Sequence, residues 1–468
     1  MTELNWLSAA ELAKGYGSKR LSPVEATKAC LAQIEAFDGK INAMCGVHAD
    51  EALAAAKASE ARWHKGAELS LLDGVPALVK DLILVKGWPT RRGSRTVDPN
   101  QQWVHDGPSV ARLREAGCVL LGQTTTPEFG WKGVTDSPLT GITRNPWDPS
   151  KTPGGSSGGS SAAAAAGYAP LTLGTDGGGS IRIPAGFAGI FGHKPSYGRV
   201  PAWPLSPFGT VAHVGPMTRT VEDATLMMNI ISKPDARDWH SLPHDPRDFV
   251  KGLKGGAKGL RIAFSPALGH ANVDPEIATL VAAAVKQLAE LGAHVEEIDP
   301  GFEDPAECFR VLWWSGVRSL LGPLPQEKRA LLDWGLADVL EQSMSISLEQ
   351  HLDAVKARGL LGTHMRQFME NHDLLITPTL PIPAFGAGLL APETVGPRKW
   401  VNWTPFSYPF NLTQQPACSV PCGFTKSGLP AGLHIVGRMH DDWTVLRAAH
   451  AYQQSTSWHE RRPPLVRK

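Results

Sequence analysis

Two hydrophobic textures divide this chain. The first sixty residues set scattered apolar positions among good helix formers. Ser8-Ala-Ala-Glu11 and Ser22-Pro23-Val24-Glu25 each place a capping serine three residues before a glutamate, the pattern that satisfies the orphan amides of a helix start. The second also puts Pro at the first helical position. A third helix is predicted over about 50–63, rich in Ala, Lys and Glu. The texture then changes: Gly74-Val-Pro-Ala-Leu-Val-Lys80-Asp-Leu-Ile-Leu-Val85 is continuously aliphatic and predicts a buried strand.

Further along, Ser109 to Ala116 predicts a helix closed by Gly117, with a short strand over Cys118–Leu121. Residues 145–161 (NPWDPSKTPGGSSGGSS) have no periodicity and predict a loop, Ala162–Ala166 a short helix, and Leu171-Thr-Leu173 a strand. Strands are also expected at 261–264, 294–298, 374–377, 417–421 and 432–436, the last pairing as a hairpin with the run before it. A long amphipathic helix is expected from Pro275 to Leu291. Strands alternating with helices over this length predict an α/β fold, a mixed, mostly parallel β-sheet covered by helices on both faces. The polar, Pro- and Gly-rich stretch 232–258 is the best linker candidate, but strands continue beyond it. A single domain over 1–468 is therefore expected: a helical segment 1–65, a core 66–230, and a variable middle with C-terminal completion of the sheet over 231–468.

Composition narrows the functional classes. Across 468 residues, 46 Lys and Arg against 45 Asp and Glu leave a formal charge of +1, which argues against a nucleic-acid partner. No apolar run approaches the roughly 20 residues that span a bilayer. The N-terminus lacks a basic and an apolar segment, so a cytoplasmic location is expected. The six cysteines are dispersed and read as reduced, mostly buried thiols, and no metal-ligand cluster is visible.

Three elements carry candidate chemistry. In Gly174-Thr-Asp176-Gly177-Gly178-Gly179-Ser180-Ile-Arg182, a glycine run leading from a strand towards a helix lines up backbone N–H groups able to hold an anion or a developing oxyanion. Asp176 and Arg182 flank it as a candidate charge-assisted pair. A plain glycine turn and a phosphate cradle are the alternatives, although neither standard phosphate-loop spacing occurs. The second element, Pro153-Gly-Gly-Ser156-Ser157-Gly-Gly-Ser160-Ser161, contains G-x-S-x-G, but prolines in the preceding residues rule out the strand that a nucleophile elbow requires. A flexible linker is the plain reading. The third is Lys80 inside an aliphatic run. Buried, it becomes a base; at an edge, it is a solvated lysine. To be half neutral at pH 7 its pKa must fall by about 3, or about 4–5 kcal/mol of environment.

Together these stretches resemble the amidase signature family. So do Gly122-Gln-Thr-Thr-Thr-Pro-Glu128-Phe, Asn145-Pro-Trp, His193-Lys-Pro-Ser-Tyr-Gly198, Val214-Gly-Pro-Met-Thr-Arg219 and Pro409-Phe-Asn-Leu-Thr413. The resemblance implies Ser180 as nucleophile, Ser156 as a bridging serine with a cis peptide bond, and Lys80 as base. The backbone amides of Gly177, Gly178, Gly179 and Ser180 would form the oxyanion hole, with Asp176, Arg182 and Ser157 in support. It implies hydrolysis of a small-molecule amide or carbamate through an acyl-enzyme, with no cofactor or metal, no nucleic acid and no membrane; a homodimer is expected only because homodimers are common. Two other readings stand beside it: the glutamine-hydrolysing component of a tRNA-dependent amidotransferase, known as its A chain, and a non-catalytic anion-binding protein. Such glutamine-hydrolysing components carry Asp-Thr-Gly-Gly-Ser-Ile-Arg-Gln, where this chain has Gly177 and Ile183. Trp131, Trp203 and Phe208, with Trp313 and Trp314 in the middle region, are candidate walls of an apolar substrate pocket.

Overall fold

The computed structural model describes residues 3–392 and 400–467. Among the described residues there are thirteen strands: β1 Met44–Val47, β2 Pro76–Lys80, β3 Val119–Thr124, β4 Asp136–Ser137, β5 Gly141–Ile142, β6 Leu171–Asp176, β7 Phe191–Lys194, β8 His213–Thr218, β9 Arg261–Phe264, β10 His294–Glu297, β11 Leu374–Pro378, β12 Ala417–Phe424 and β13 Pro430–Gly437. Eleven of them build one sheet in the order β1-β3-β2-β6-β8-β7-β12-β13-β11-β9-β10, and β4 and β5 form a small ribbon. The sheet is mixed. It is parallel where β2 lies between β3 and β6, and again where β9 lies between β10 and β11. Antiparallel pairings join these two groups, among them the expected β12–β13 hairpin.

Helices cover both faces, and β11 shows how the sequence sorts them. Leu374 and Ile376 face a core shared with the helices Val221–Ile231, Pro275–Glu290 and Asp442–Gln454. Leu375 faces a second core with Ala306–Leu321, Trp334–Ser343 and Leu348–Phe368. That period of two is the strand signature, and it holds here because both faces are apolar. The two capping boxes occur as expected, at Ser8 and Ser22.

Two elements differ from the sequence expectation in ways that matter for the site. The aliphatic run 74–85 is a strand only to Lys80. There the chain turns, and the Lys80 carbonyl accepts the amides of Leu82 and Ile83 at 2.7 and 3.0 Å. The Gly/Ser stretch is not an open loop: the helix starts at Gly158 rather than Ala162, and Gly158–Ala165 is buried throughout. Its hydroxyls are consumed internally, Ser160 Oγ donating to the Leu173 carbonyl at 2.9 Å and Ser161 Oγ to that of Gly158 at 3.0 Å. The linker candidate at 232–258 separates nothing, since Phe249, Leu253 and Ala257 lie in the same core as the sheet.

Candidate active site

The site forms where β2 and β6 stop, at the C-terminal ends of neighbouring parallel strands, the usual place for a site in such a sheet. Lys80 is the last residue of β2 and Asp176 the last of β6. The Gly/Ser segment enters alongside, with a cis peptide bond between Gly155 and Ser156, and the Ser157 amide donates to the Ser180 carbonyl at 3.2 Å.

Lys80 is fully buried. β2 has a neighbour on each side, so the solvated edge-strand reading does not apply. Its Nζ lies 2.7 Å from Ser156 Oγ, 2.9 Å from Ser157 Oγ and 2.8 Å from Thr175 Oγ1. Three hydroxyls and no paired carboxylate surround the amine. Burial therefore drives its pKa well below the ordinary lysine value, against the opposing charge of Asp176. An amine so placed can take a proton from a neighbouring hydroxyl. Thr175 was not singled out from the sequence; its position between Gly174 and Asp176 at the end of β6 was the available signal.

The Asp176–Arg182 corner is also buried, but it is fully paired. Arg182 Nε donates to Asp176 Oδ2 at 2.9 Å and Nη2 to Oδ1 at 3.0 Å, with both side chains excluded from solvent. Arg182 also donates to the Ser407 carbonyl at 3.0 Å and to Asn411 Oδ1 at 2.6 Å, while Asn411 Nδ2 returns a bond to Asp176 Oδ1 at 2.8 Å. Burial pushes the Asp176 carboxyl upward, but the Arg182 guanidinium and its hydrogen bonds, with Lys194 and Asn411, outweigh it and hold the carboxyl far below the usual range. Asn411, Ser407 and the neutral, buried His434 complete this frame; of these, Asn411 falls in a stretch the sequence had already marked.

One expectation needs correcting. The Gly179 amide donates to Asp176 Oδ1 at 2.8 Å, so it is spent on holding the loop rather than facing a ligand. The amides of Gly177, Gly178 and Ser180 make no hydrogen bond with the described residues. Gly179 has φ +126°, and a Cβ there would lie 2.4 Å from Ser407 Oγ, so only glycine fits.

A cavity of about 380 Å³ opens over Ser156, Thr175, Gly177 and Ser180. That is within the range of small-molecule sites. Trp203, Phe208 and Trp313 line it as expected, and the Trp313 ring stacks on Phe208 at 3.8 Å with the planes 8° apart. Trp131 does not line it. It is buried against Gly335, and its carbonyl accepts the Trp313 indole N–H at 3.2 Å. Trp314 likewise faces the helical core. Phe129 and Gly130 complete the wall next to Ser156: Phe129 has φ +52°, and a Cβ on Gly130 would lie 3.3 Å from Ser156 Oγ. Among the described residues, no three His, Cys, Asp or Glu side chains converge on a metal-sized site, and no helix is long and apolar enough to cross a membrane.

The amidase family model matches residues 25–446. An acylamidase from Rhodococcus erythropolis is 37% identical, over 99% of this chain and 98% of that protein. The glutamyl-tRNA(Gln) amidotransferase A chain of Chloroflexus aggregans is 36% identical over 100% of both proteins. The crystal structure of a bacterial aryl acylamidase of the amidase signature family superposes with a TM-score of 0.90 at 33% identity, covering 97% of each chain.

Proposed function

The chain belongs to the amidase signature family and is a hydrolase of amide C–N bonds; from that premise we propose that it acts alone on small amides by acylating Ser180, with Ser156 and Lys80 as its proton relay. The observation that carries the proposal is the neutral-leaning Lys80 amine, 2.7 Å from Ser156 Oγ in a pocket of hydroxyls. The Ser180 hydroxyl attacks the carbonyl carbon as its proton passes through Ser156 to Lys80 Nζ. The oxyanion of the tetrahedral intermediate is received by the free amides of the glycine run, those of Gly177, Gly178 and Ser180. The intermediate collapses as the C–N bond breaks, and Lys80 returns the proton through Ser156 to the departing amine. Water then enters, gives up a proton along the same path, and releases the acid. A carbamate follows the same course, its product losing carbon dioxide afterwards. Lysine in this role replaces the histidine of a Ser-His-Asp triad.

The aromatic wall of Trp203, Phe208 and Trp313 favours an apolar or aryl group beside the scissile bond. Similarity to the acylamidase and to the aryl acylamidase structure supports the same substrate class. The second reading, the glutamine-hydrolysing component of an amidotransferase, has the comparable identity to such a protein in its favour. Against it stands a steric match. A Cβ at Gly177 would lie 2.8 Å from the Trp313 ring, so the threonine of the amidotransferase motif does not fit beneath this wall. The test is turnover by the isolated chain of an anilide, an aliphatic amide, an aryl carbamate and glutamine. Ser180-dependent cleavage of the anilide with glutamine untouched is expected. Glutamine hydrolysis that requires further protein chains would overturn the free-standing reading.

A further inference from the structure

The cavity holds one permanent charge that catalysis does not use. Among its described lining side chains none is a carboxylate, and the candidate cations are Arg92 and His213. His213 is fully committed: Nδ1 faces the carbonyls of Val211 at 2.8 Å and Asp176 at 3.1 Å, and burial, with Lys194 alongside, keeps the ring neutral. Arg92 has no such commitment. Its guanidinium is half-buried and influenced by Asp81, but it has no hydrogen bond or ion pair with a described side chain.

Arg92 is also held firmly in place. It adopts φ +57°, a left-handed backbone that bulky residues rarely take. Two bonds fix the turn: the Phe129 amide donates to the Arg92 carbonyl at 2.8 Å, and the Gly93 amide donates to Asp81 Oδ2 at 2.9 Å. The acids nearby are withdrawn. Asp81 is buried beneath the turn, and Glu128 is engaged by Ser94 Oγ and the Asp333 amide, each at 2.6 Å. Arg95 and Lys328, which reaches the Thr96 carbonyl at 3.3 Å, add positive charge along the same segment. A half-desolvated guanidinium that feels Asp81 but makes no ion pair with it, in a cavity lined by hydroxyls and aromatic rings and by no carboxylate, is suited to a planar anion.

We propose that Arg92 binds a carboxylate on the substrate, so that the preferred substrates are amides carrying an acid group on either the acyl or the amine portion. This rests on the hydrolase reading above and names its substrate class. Two matched pairs test it: butyryl against succinyl 4-nitroanilide, and acetanilides with para methyl against para carboxylate. The readout is the ratio of kcat/KM, carboxylate over neutral, in wild type, Arg92→Ala and Arg92→Lys. The ratio should exceed one in at least one pair and fall about 10–100-fold in Arg92→Ala, mainly through KM, with Arg92→Lys keeping part of it. An equal ratio in wild type and Arg92→Ala, or preference for the neutral member in both pairs, would overturn the proposal.

If Arg92→Ala does not fold, wild type alone still decides through competitive inhibition. 4-Phenylbutyrate should inhibit at least tenfold more tightly than 4-phenylbutanol, and equal inhibition contradicts the assignment. Ser180→Ala separates the two levels of the argument. Loss of neutral-anilide hydrolysis in that variant keeps the hydrolase reading whatever the Arg92 ratios show, whereas retained hydrolysis removes the catalytic reading itself.

Discussion

Two corners of the same site bury a basic side chain, and they treat it in opposite ways. Arg182 is enclosed by Asp176, Asn411 and the Ser407 carbonyl, every donor directed at an acceptor. Lys80 is equally buried but meets only hydroxyl groups. A compensated buried charge is a strut: removing one partner leaves the other stranded, at about 3–5 kcal/mol. An uncompensated amine instead lowers its pKa and becomes reactive. The comparison separates residues that hold the loop from residues proposed to move protons, although all lie within the same few strand ends.

The largest expected effect falls on the reactive corner. Ser180→Ala should lower kcat by about 10⁵–10⁶-fold, read with an anilide under saturating conditions. Lys80→Ala should cost about 10³–10⁴-fold. The pH profile sharpens the point. The proposed relay needs neutral Lys80, so kcat/KM should fall as pH drops through the lowered lysine pKa and stay flat above it, with no rise towards 10.5. A profile still climbing at that ordinary lysine value would show that the amine keeps its normal proton affinity.

Stability should report the opposite ranking. Unfolded Lys80 keeps its proton up to its ordinary value while the folded amine has shed it, so between those two values stability rises with pH and burial is a cost at neutral pH. Lys80→Met should therefore abolish activity while the unfolding midpoint matches or exceeds that of wild type. Asp176→Asn leaves Arg182 without its carboxylate and should lose about 3 kcal/mol in denaturant unfolding. A large stability loss in Lys80→Met with little in Asp176→Asn would reverse the comparison. The smallest effect belongs to the aromatic wall. Phe208→Ala should shift selectivity between short and aryl acyl groups by about 10–100-fold, chiefly in KM.

Both corners were legible in the sequence for the same reason: each is written in a short stretch. Lys80 in an aliphatic run, the Gly/Ser segment and Asp176 to Arg182 are local statements about backbone approach and charge. The wall was legible only in part: Trp203, Phe208 and Trp313 line the cavity as expected, whereas Trp131 and Trp314 do not. Trp313 reaches the cavity from a helix some 130 residues after the glycine run, and neighbouring Trp314 faces the core instead. Trp131, close in sequence to the candidate catalytic stretches, is buried behind the wall rather than in it, after the left-handed Phe129 and Gly130. The Gly179 amide was misjudged on similar grounds. Its sequence position suits an oxyanion donor, but the Asp176 carboxylate three residues earlier captures it. The early end of β2 escaped notice because residues 82–85 remain apolar after the turn at Lys80.

The most direct test of the relay is to trap the acyl group. The protein would be quenched during turnover of an activated acyl anilide and digested with trypsin, and the peptide covering residues 152–182 fragmented in the mass spectrometer. This peptide contains both Ser156 and Ser180. The account predicts the acyl mass on Ser180 and nowhere else, absent in Ser180→Ala. Acylation of Ser156, or steady turnover with neither serine labelled and undiminished in Ser180→Ala, would contradict it.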